Sequence, residues 1–268
     1  MPFVTTDDGA KVHYRDTGGD GPAVLMLHGF FMDSVMWEPQ EKSLAPAYRL
    51  VSVDARGHGG TTDDGEPFDH WTLARDAFAV ADQLGIERFA IIGQFQGGWI
   101  GMRMALQQRS RVRGLAAIGS RSDAYDPSEY AAYKRIILGQ WILGDGDLEA
   151  IAKPIAAMMV GGTREHHRFW LDRWLADDRR RLEQAGWALM NRESIDDMLA
   201  DITVPVLVMH GVGDPVYHRD HQEALAARFG GPTRVETINA VNANHSPTFT
   251  HPELTDPILR DWLDGLPA

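Results

Sequence analysis

The sequence predicts an α/β protein, a doubly wound and mostly parallel sheet interrupted by one helical insertion. Three observations carry that expectation. Short apolar runs rich in Val, Ile and Leu recur at 23–27, 50–53, 89–92 and 115–118, the length and composition of strands buried on both faces. Helix-like stretches separate them, and strands that alternate with helices build a parallel sheet with crossovers. The strand pattern then stops at about residue 120 and resumes only at 204–209, which sets the intervening chain apart.

Taken in order, residues 3–6 and 12–15 flank Asp7-Asp8-Gly9, a hairpin turn at the sheet edge. Gly18-Gly19-Asp20-Gly21 reads as an ordinary turn. Residues 73–84 place Leu73, Ala77, Val80, Ala81 and Leu84 on one helical face, and the helix ends before Gly85. A further helix is expected to start near Trp99. From about Ser120 to Asp201 the chain is helical, aromatic and Met-containing, with Trp141, Met158, Met159, Trp170, Trp174, Trp187 and Met190. Strands at 204–209 and 234–238 and a helix at 254–263 complete the chain. The expected division is a core of 1–119 and 202–268 with a cap of 120–201. There is no internal repeat and no low-complexity segment.

Composition removes several classes of function. At 268 residues with 44% hydrophobic and 24% charged, the chain is long enough for one large domain or two small ones, each with its own core. Twenty-six Lys and Arg against 38 Asp and Glu leave a formal net charge of -12, without the basic field that nucleic acid requires. With no cysteine there is no disulfide, thiolate nucleophile or Cys-ligated metal. No apolar stretch approaches the roughly 18 residues of a membrane span, and the amino terminus has neither a basic nor an apolar leader region. The expectation is a cytoplasmic protein without membrane or nucleic-acid partners. No P-loop lysine or G-x-G-x-x-G follows a strand. His166-His167 point to different helix faces, and His218 and His221 lack a second pair, so no metal is expected.

The segment richest in chemistry is Phe89-Ala90-Ile91-Ile92-Gly93-Gln94-Phe95-Gln96-Gly97-Gly98-Trp99, a buried strand that runs through glycines into a helix. It has the layout of the nucleophile elbow G-x-S-x-G, in which glycines two residues to either side let strand and helix pass closely around a strained turn. Gly93 and Gly97 occupy those places. The middle residue is Phe95, which has no nucleophilic atom.

Around this elbow the chain resembles the α/β-hydrolase family almost throughout, and most closely its small esterase and lactone-hydrolase branch, which includes the 3-oxoadipate enol-lactonases. His28-Gly29-Phe30-Phe31 matches the family's oxyanion loop, and Asp54-Ala55-Arg56-Gly57-His58-Gly59 its D-x-R-G-x-G turn. His210-Gly211-Val212-Gly213-Asp214-Pro215 puts Asp214 at the acid position. Asn242-Ala243-Asn244-His245 puts His245 at the base, and the order 95, 214, 245 is that of this fold. The resemblance implies the backbone N–H groups of Phe30 and Gln96 as oxyanion donors. It implies hydrolysis of a carboxylic ester or lactone without metal or organic cofactor. His28, Arg56 and His58 are expected to brace their loops.

Phe95 leaves three readings open: a lost serine, a change to non-covalent chemistry on the His245–Asp214 dyad, or a ligand-binding scaffold. The dyad reading covers a lyase, an isomerase or a cofactor-free oxygenase. An aromatic cap over the strand ends implies a small hydrophobic or ring-containing substrate. Phe31, Trp141, Met158, Trp170 and Trp187 are the expected lining, and a monomer or homodimer the expected assembly.

Overall fold

The computed structural model describes residues 2–267. Its eight strands are β1 (Phe3–Thr5), β2 (Lys11–Asp16), β3 (Ala23–Leu27), β4 (Arg49–Val53), β5 (Phe89–Gln94), β6 (Val112–Ile118), β7 (Val206–Gly211) and β8 (Thr233–Ile238). They form one sheet in the order β1-β2-β4-β3-β5-β6-β7-β8. The β1–β2 hairpin and the β2–β4 pair are antiparallel, and every pairing from β4 to β8 is parallel. Apolar side chains on both faces of β5 and β7 bury every residue of those strands. The chain steps outward from β3 to β4 and then returns over β3 to β5. That reversal makes the carboxyl ends of β3 and β5 the crevice of the sheet.

On the core, α1 (Glu38–Leu44), α2 (His70–Gln83) and α3 (Gln96–Gln107) connect the first strands. Leu73, Ala77, Val80 and Ala81 of α2 are all buried, as their spacing predicts, and Asp69 caps the helix by accepting the Thr72 N–H. α3 starts at Gln96 rather than near Trp99. The turn is a single residue, Phe95, so Gly97 and Gly98 are already helical. β7 begins after Pro205, which has no N–H to give the ladder, and so excludes Val204.

Between β6 and β7 the chain makes α4 (Pro127–Tyr133), α5 (Leu148–Ile155), α6 (Arg164–Ala176) and α7 (Glu183–Met190), with no strand among the described residues there. Asp126 and Glu129 form a capping box at the start of α4. α4 and α5 each run on into a wider π-helical turn, at Lys134–Ile142 and Ala156–Val160. Pro154 within α5 lacks the N–H that a regular turn needs just before the second of these. Ile137, Leu138, Trp141, Ile142, Leu189 and Met190 of the insertion share one apolar cluster with Phe30 and Trp99 of the core. α8 (Arg219–Ala226), α9 (Pro247–Thr250) and α10 (Pro252–Asp264) complete the fold. Among the described residues no helix is long and apolar enough to cross a membrane.

Candidate active site

The elbow is built by backbone contact that only hydrogen permits. A β-carbon on Gly93 would lie 2.4 Å from the Gly97 carbonyl carbon, one on Gly97 2.0 Å from the Leu27 oxygen, and one on Gly98 2.0 Å from Ser120 Oγ. Strand and helix therefore approach until Phe95 is left at φ 51, ψ -111. Its N–H donates to the Ile118 oxygen at 2.8 Å, and Ser120 Oγ donates to its carbonyl at 2.8 Å. A phenylalanine held at positive φ costs on the order of 1–3 kcal/mol, a strain sustained by these surrounding contacts.

The loops after β7 and β8 deliver an acid and a base. His245 Nδ1 and Asp214 Oδ2 are 2.8 Å apart. Asp214 Oδ1 accepts the Val216 and Tyr217 N–H groups at 2.8 and 3.1 Å. Burial works to raise the Asp214 carboxyl, but the His245 charge and hydrogen bond and the two backbone donors outweigh it and hold it below the usual carboxylate range. Gly119, at φ 50, makes room: a β-carbon there would lie 3.1 Å from the imidazole and 3.3 Å from Asp214 Oδ2. The His245 N–H donates to the Met159 oxygen of the insertion at 3.1 Å, and Gln94 Nε2 donates to the His245 carbonyl at 2.5 Å.

With its Nδ1 proton directed at the Asp214 carboxylate, His245 carries its lone pair on Nε2. That atom is buried and has no hydrogen-bond partner. The Phe95 ring packs edge to face against the imidazole, with centroids 4.9 Å apart. Phe95 and His245 thus face each other at the elbow, and the group packed against the imidazole is a hydrocarbon ring.

His28 and His58 tie down the loop after β3. His28 Nε2 accepts the Ala55 N–H at 2.9 Å while Nδ1 donates to the Gly29 oxygen at 2.8 Å. His58 Nε2 accepts the Phe31 N–H at 3.4 Å, which requires a neutral ring; burial and the nearby His28 push its pKa down to about 3. Arg56 clamps Asp76 through two hydrogen bonds of 2.7 and 2.8 Å. The Gly29 β-position is 3.7 Å from Phe95 Cβ, so this loop borders the elbow. Phe30 is buried, and Gln96, as the first residue of α3, has no acceptor for its N–H within the helix.

The expected lining residues divide. Phe31, at φ 68, stacks on Trp141 with centroids 4.1 Å apart and accepts a hydrogen bond from Trp174 Nε1 at 2.6 Å. These three border a cleft of about 810 Å³ together with His58, Trp170 and Arg173, and its lining does not include Phe95, Asp214 or His245. Trp170 is buried and packs edge to face on Phe249. Met158 does not line the cleft: its side chain is 49% exposed, and its backbone oxygen anchors Asn244 Nδ2 at 2.8 Å. Trp187 lies instead beneath Lys134 Nζ, 5.1 Å from its ring, and lines a separate groove.

Two aromatics that sequence reasoning passed over complete the surroundings of Phe95. Trp99 lies 4.5 Å and Tyr217 6.0 Å from the Phe95 ring, centroid to centroid. Each follows a site residue by one helical or turn spacing, which is the signal that could have identified them. The Tyr217 hydroxyl is buried without a partner, and burial raises its pKa well above the ordinary value. Among the described residues no three His, Cys, Asp or Glu side chains converge as a metal site. His166 packs on Phe249, and His218 on His221 at 6.1 Å.

Comparison with known proteins bears on the fold. A family profile described as the alpha/beta hydrolase fold matches residues 22–141. A pimeloyl-[acyl-carrier protein] methyl ester esterase of Nitrosomonas europaea is 25% identical over 261 residues, 91% of this chain and 96% of that protein. A non-heme haloperoxidase of Rhodococcus erythropolis is 26% identical over 81% of this chain and 83% of its own length. The enol-lactonase of Burkholderia xenovorans superposes with a TM-score of 0.85 at 20% identity, covering 98% of this chain and all of the other, and shares the fold. Strand order, elbow, loop after β3 and the profile match over residues 22–141 agree on the α/β-hydrolase fold.

Proposed function

We propose that this chain carries the site of a carboxylic ester or lactone hydrolase for small hydrophobic or ring-containing substrates, with the covalent step closed at Phe95. One observation carries the reading. His245, oriented by Asp214, keeps a buried and unpartnered Nε2 against the side chain at the elbow. With a serine there, Nε2 would take the hydroxyl proton as oxygen attacked the acyl carbon. The imidazolium would then return that proton to the leaving alcohol, and water would release the acid. The Phe30 and Gln96 amides are the proposed oxyanion donors, and the insertion acts as the cap. Phe95 supplies no proton and no attacking atom. Its ring also fills the space of an acyl group. Relatives named as a methyl ester esterase and an enol-lactonase support the substrate class.

A second reading has its own support in the same Nε2. A sheltered lone pair on an aspartate-oriented imidazole is a general base for water or for an acidic substrate proton, without a covalent intermediate. The test assays p-nitrophenyl acetate and simple lactones with three proteins: the chain itself, Phe95→Ser, and Phe95→Ser with His245→Ala. The hydrolase reading expects turnover in Phe95→Ser alone. A folded Phe95→Ser protein inactive across a broad ester and lactone panel overturns it, and His245-dependent turnover by the unsubstituted chain establishes the second reading.

A further inference from the structure

A groove of about 190 Å³ lies where α7 of the insertion faces α2 and α3 of the core. Its lining includes Phe68, His70, Trp71, Arg103, Trp187 and Arg192. Two of these are buried cations without an ion pair among the described residues. Arg103 is 1% exposed and Arg192 6%. Their hydrogen bonds go to backbone carbonyls: Arg103 to Trp99 and Glu193 at 3.3 and 2.9 Å, Arg192 to Asp123 and Leu189 at 3.1 and 3.2 Å. That bonding ties segments together and accounts for part of each guanidinium. It leaves Arg103 Nε and Arg192 Nη2 buried and unpartnered, together with both ring nitrogens of His70, which is 2% exposed.

Buried polar groups almost always find a partner, and an unpaired buried charge is more costly than an unpaired neutral group. Four orphaned nitrogens around one groove therefore describe a ligand by complement. The two carboxylates at the groove, Asp69 and Glu193, are exposed and already engaged. Asp69 accepts the Thr72 N–H at 2.8 Å, and Glu193 accepts the Trp71 indole N–H. Solvated acids at the rim are screened more strongly than cations at the floor. The floor thus favours an anion, and guanidinium N–H groups favour carboxylate oxygens. Phe68, Trp71 and Trp187 add aromatic walls, which suit an apolar group on that anion rather than a bare inorganic ion.

We propose that this groove is a second ligand site, separate from the elbow, that binds a small carboxylic acid bearing a single-ring apolar group. Arg103 and Arg192 hold the carboxylate, His70 supplies a neutral hydrogen-bonding nitrogen, and the aromatic walls clasp the ring. Burial, followed by the two arginine charges, holds the His70 pKa well below its ordinary value, so the ring stays neutral near pH 7. Trp99 is the partition between this groove and the elbow, 5.3 Å from the His70 ring and 4.5 Å from Phe95, with the Arg192 guanidinium 4.1 Å over it. Since α7 belongs to the insertion and α2 and α3 to the core, an occupant also fastens the one to the other. The inference rests on these unpaired atoms and is independent of the hydrolytic reading.

The test titrates the full chain with benzoate, followed by tryptophan fluorescence and by the NMR signals of the indole N–H groups, with benzamide as the uncharged control. Expected is saturable benzoate binding that moves the Trp71 and Trp187 indole signals and leaves those of Trp37 and Trp262 in place. Benzamide should bind about tenfold more weakly, and Arg192→Met and Trp187→Ala should each weaken benzoate by about tenfold. Trp187 is only partly buried, so its variant keeps the test open if Arg192→Met does not fold. Absence of saturation, equal binding of benzamide, or benzoate binding that His245→Ala abolishes while the Trp71 and Trp187 signals stay still would each overturn the proposal.

Discussion

Two buried histidine–aspartate pairs stand in this fold, and by distance and burial they are nearly twins. His13 Nδ1 lies 2.6 Å from Asp54 Oδ2, and His245 Nδ1 lies 2.8 Å from Asp214 Oδ2. Both aspartates are 1% exposed. Their surroundings separate them. Asp54 also accepts the Ser34 and Gly60 N–H groups at 2.6 and 2.8 Å, and a β-carbon on Gly59 would lie 2.1 Å from its Oδ2. Its carboxylate is the hub of a turn. Asp214 likewise gathers backbone donors, yet the histidine it orients keeps a buried nitrogen without a partner, facing the elbow. The lesson is that an acid–base pair is marked as a site by what its free nitrogen faces, rather than by the hydrogen bond within the pair.

The largest test of that contrast is chemical. Phe95→Ser should raise hydrolysis of an activated ester by several orders of magnitude, since losing the nucleophile of a comparable triad costs about a millionfold. Adding Asp214→Asn should then remove up to about 10⁴-fold of the gain by freeing the wrong tautomer, whereas Asp54→Asn should change turnover per folded molecule only a few-fold. Initial rates normalised to folded protein decide it. Equal losses from the two asparagine variants would erase the distinction between the pairs.

Stability should show the reverse pattern. Asp54→Ala strands two backbone donors and an imidazole in a buried turn and should cost about 3–5 kcal/mol in urea unfolding. A cost below about 1 kcal/mol would deny Asp54 its role as the hub.

Acid should act on the same turn. Asp54 lies at about 2 in the fold against 3.8 unperturbed, because the His13 hydrogen bond, the His28 charge and two backbone donors overcome the upward push of burial. The folded value is the lower one, so this stabilisation is complete above about pH 4 and drains away as pH falls toward 2. His58, neutral in the fold with a pKa near 3, follows the same sign over a higher window. The unfolded chain takes up its proton first, so stability declines as pH falls from about 6.5 toward 3. His58→Gln should flatten the upper part of that decline in unfolding midpoints measured against pH, and an unchanged slope would refute the assignment.

The smallest expected effect concerns Gly119. Alanine at φ 50 should cost about 1 kcal/mol in stability and, by crowding the imidazole, lower Phe95→Ser turnover by about tenfold. An alanine variant with full turnover would show that the dyad tolerates displacement.

Much of the fold was legible beforehand because it rests on local pattern. Continuous apolar runs bounded by glycine and proline located the parallel strands, and the 3.6-residue period of 73–84 located α2. Strand ends shifted by up to three residues where pairing, rather than apolarity, decides the limit. β6 begins at Val112, before its apolar run, because Val112 and Gly114 pair with Phe89 and Ala90. The π-helical turns of the insertion carry no periodic signal to read.

For the candidate site, the sequence by itself determined the chemistry present and its order along the chain. Gly93 and Gly97 announce a close crossing through side-chain volume, whereas Asp214 and His245 are singled out as acid and base positions by resemblance to a known family's motifs. Tertiary structure alone decided which face each group presents. It exposed Met158, turned Trp187 to another groove, brought Trp99 and Tyr217 to the Phe95 ring, and left His245 Nε2 without a partner. The physical reason is that orientation around an irregular helical insertion, and hydrogen-bond satisfaction between segments over a hundred residues apart, depend on packing that no local run of residues encodes.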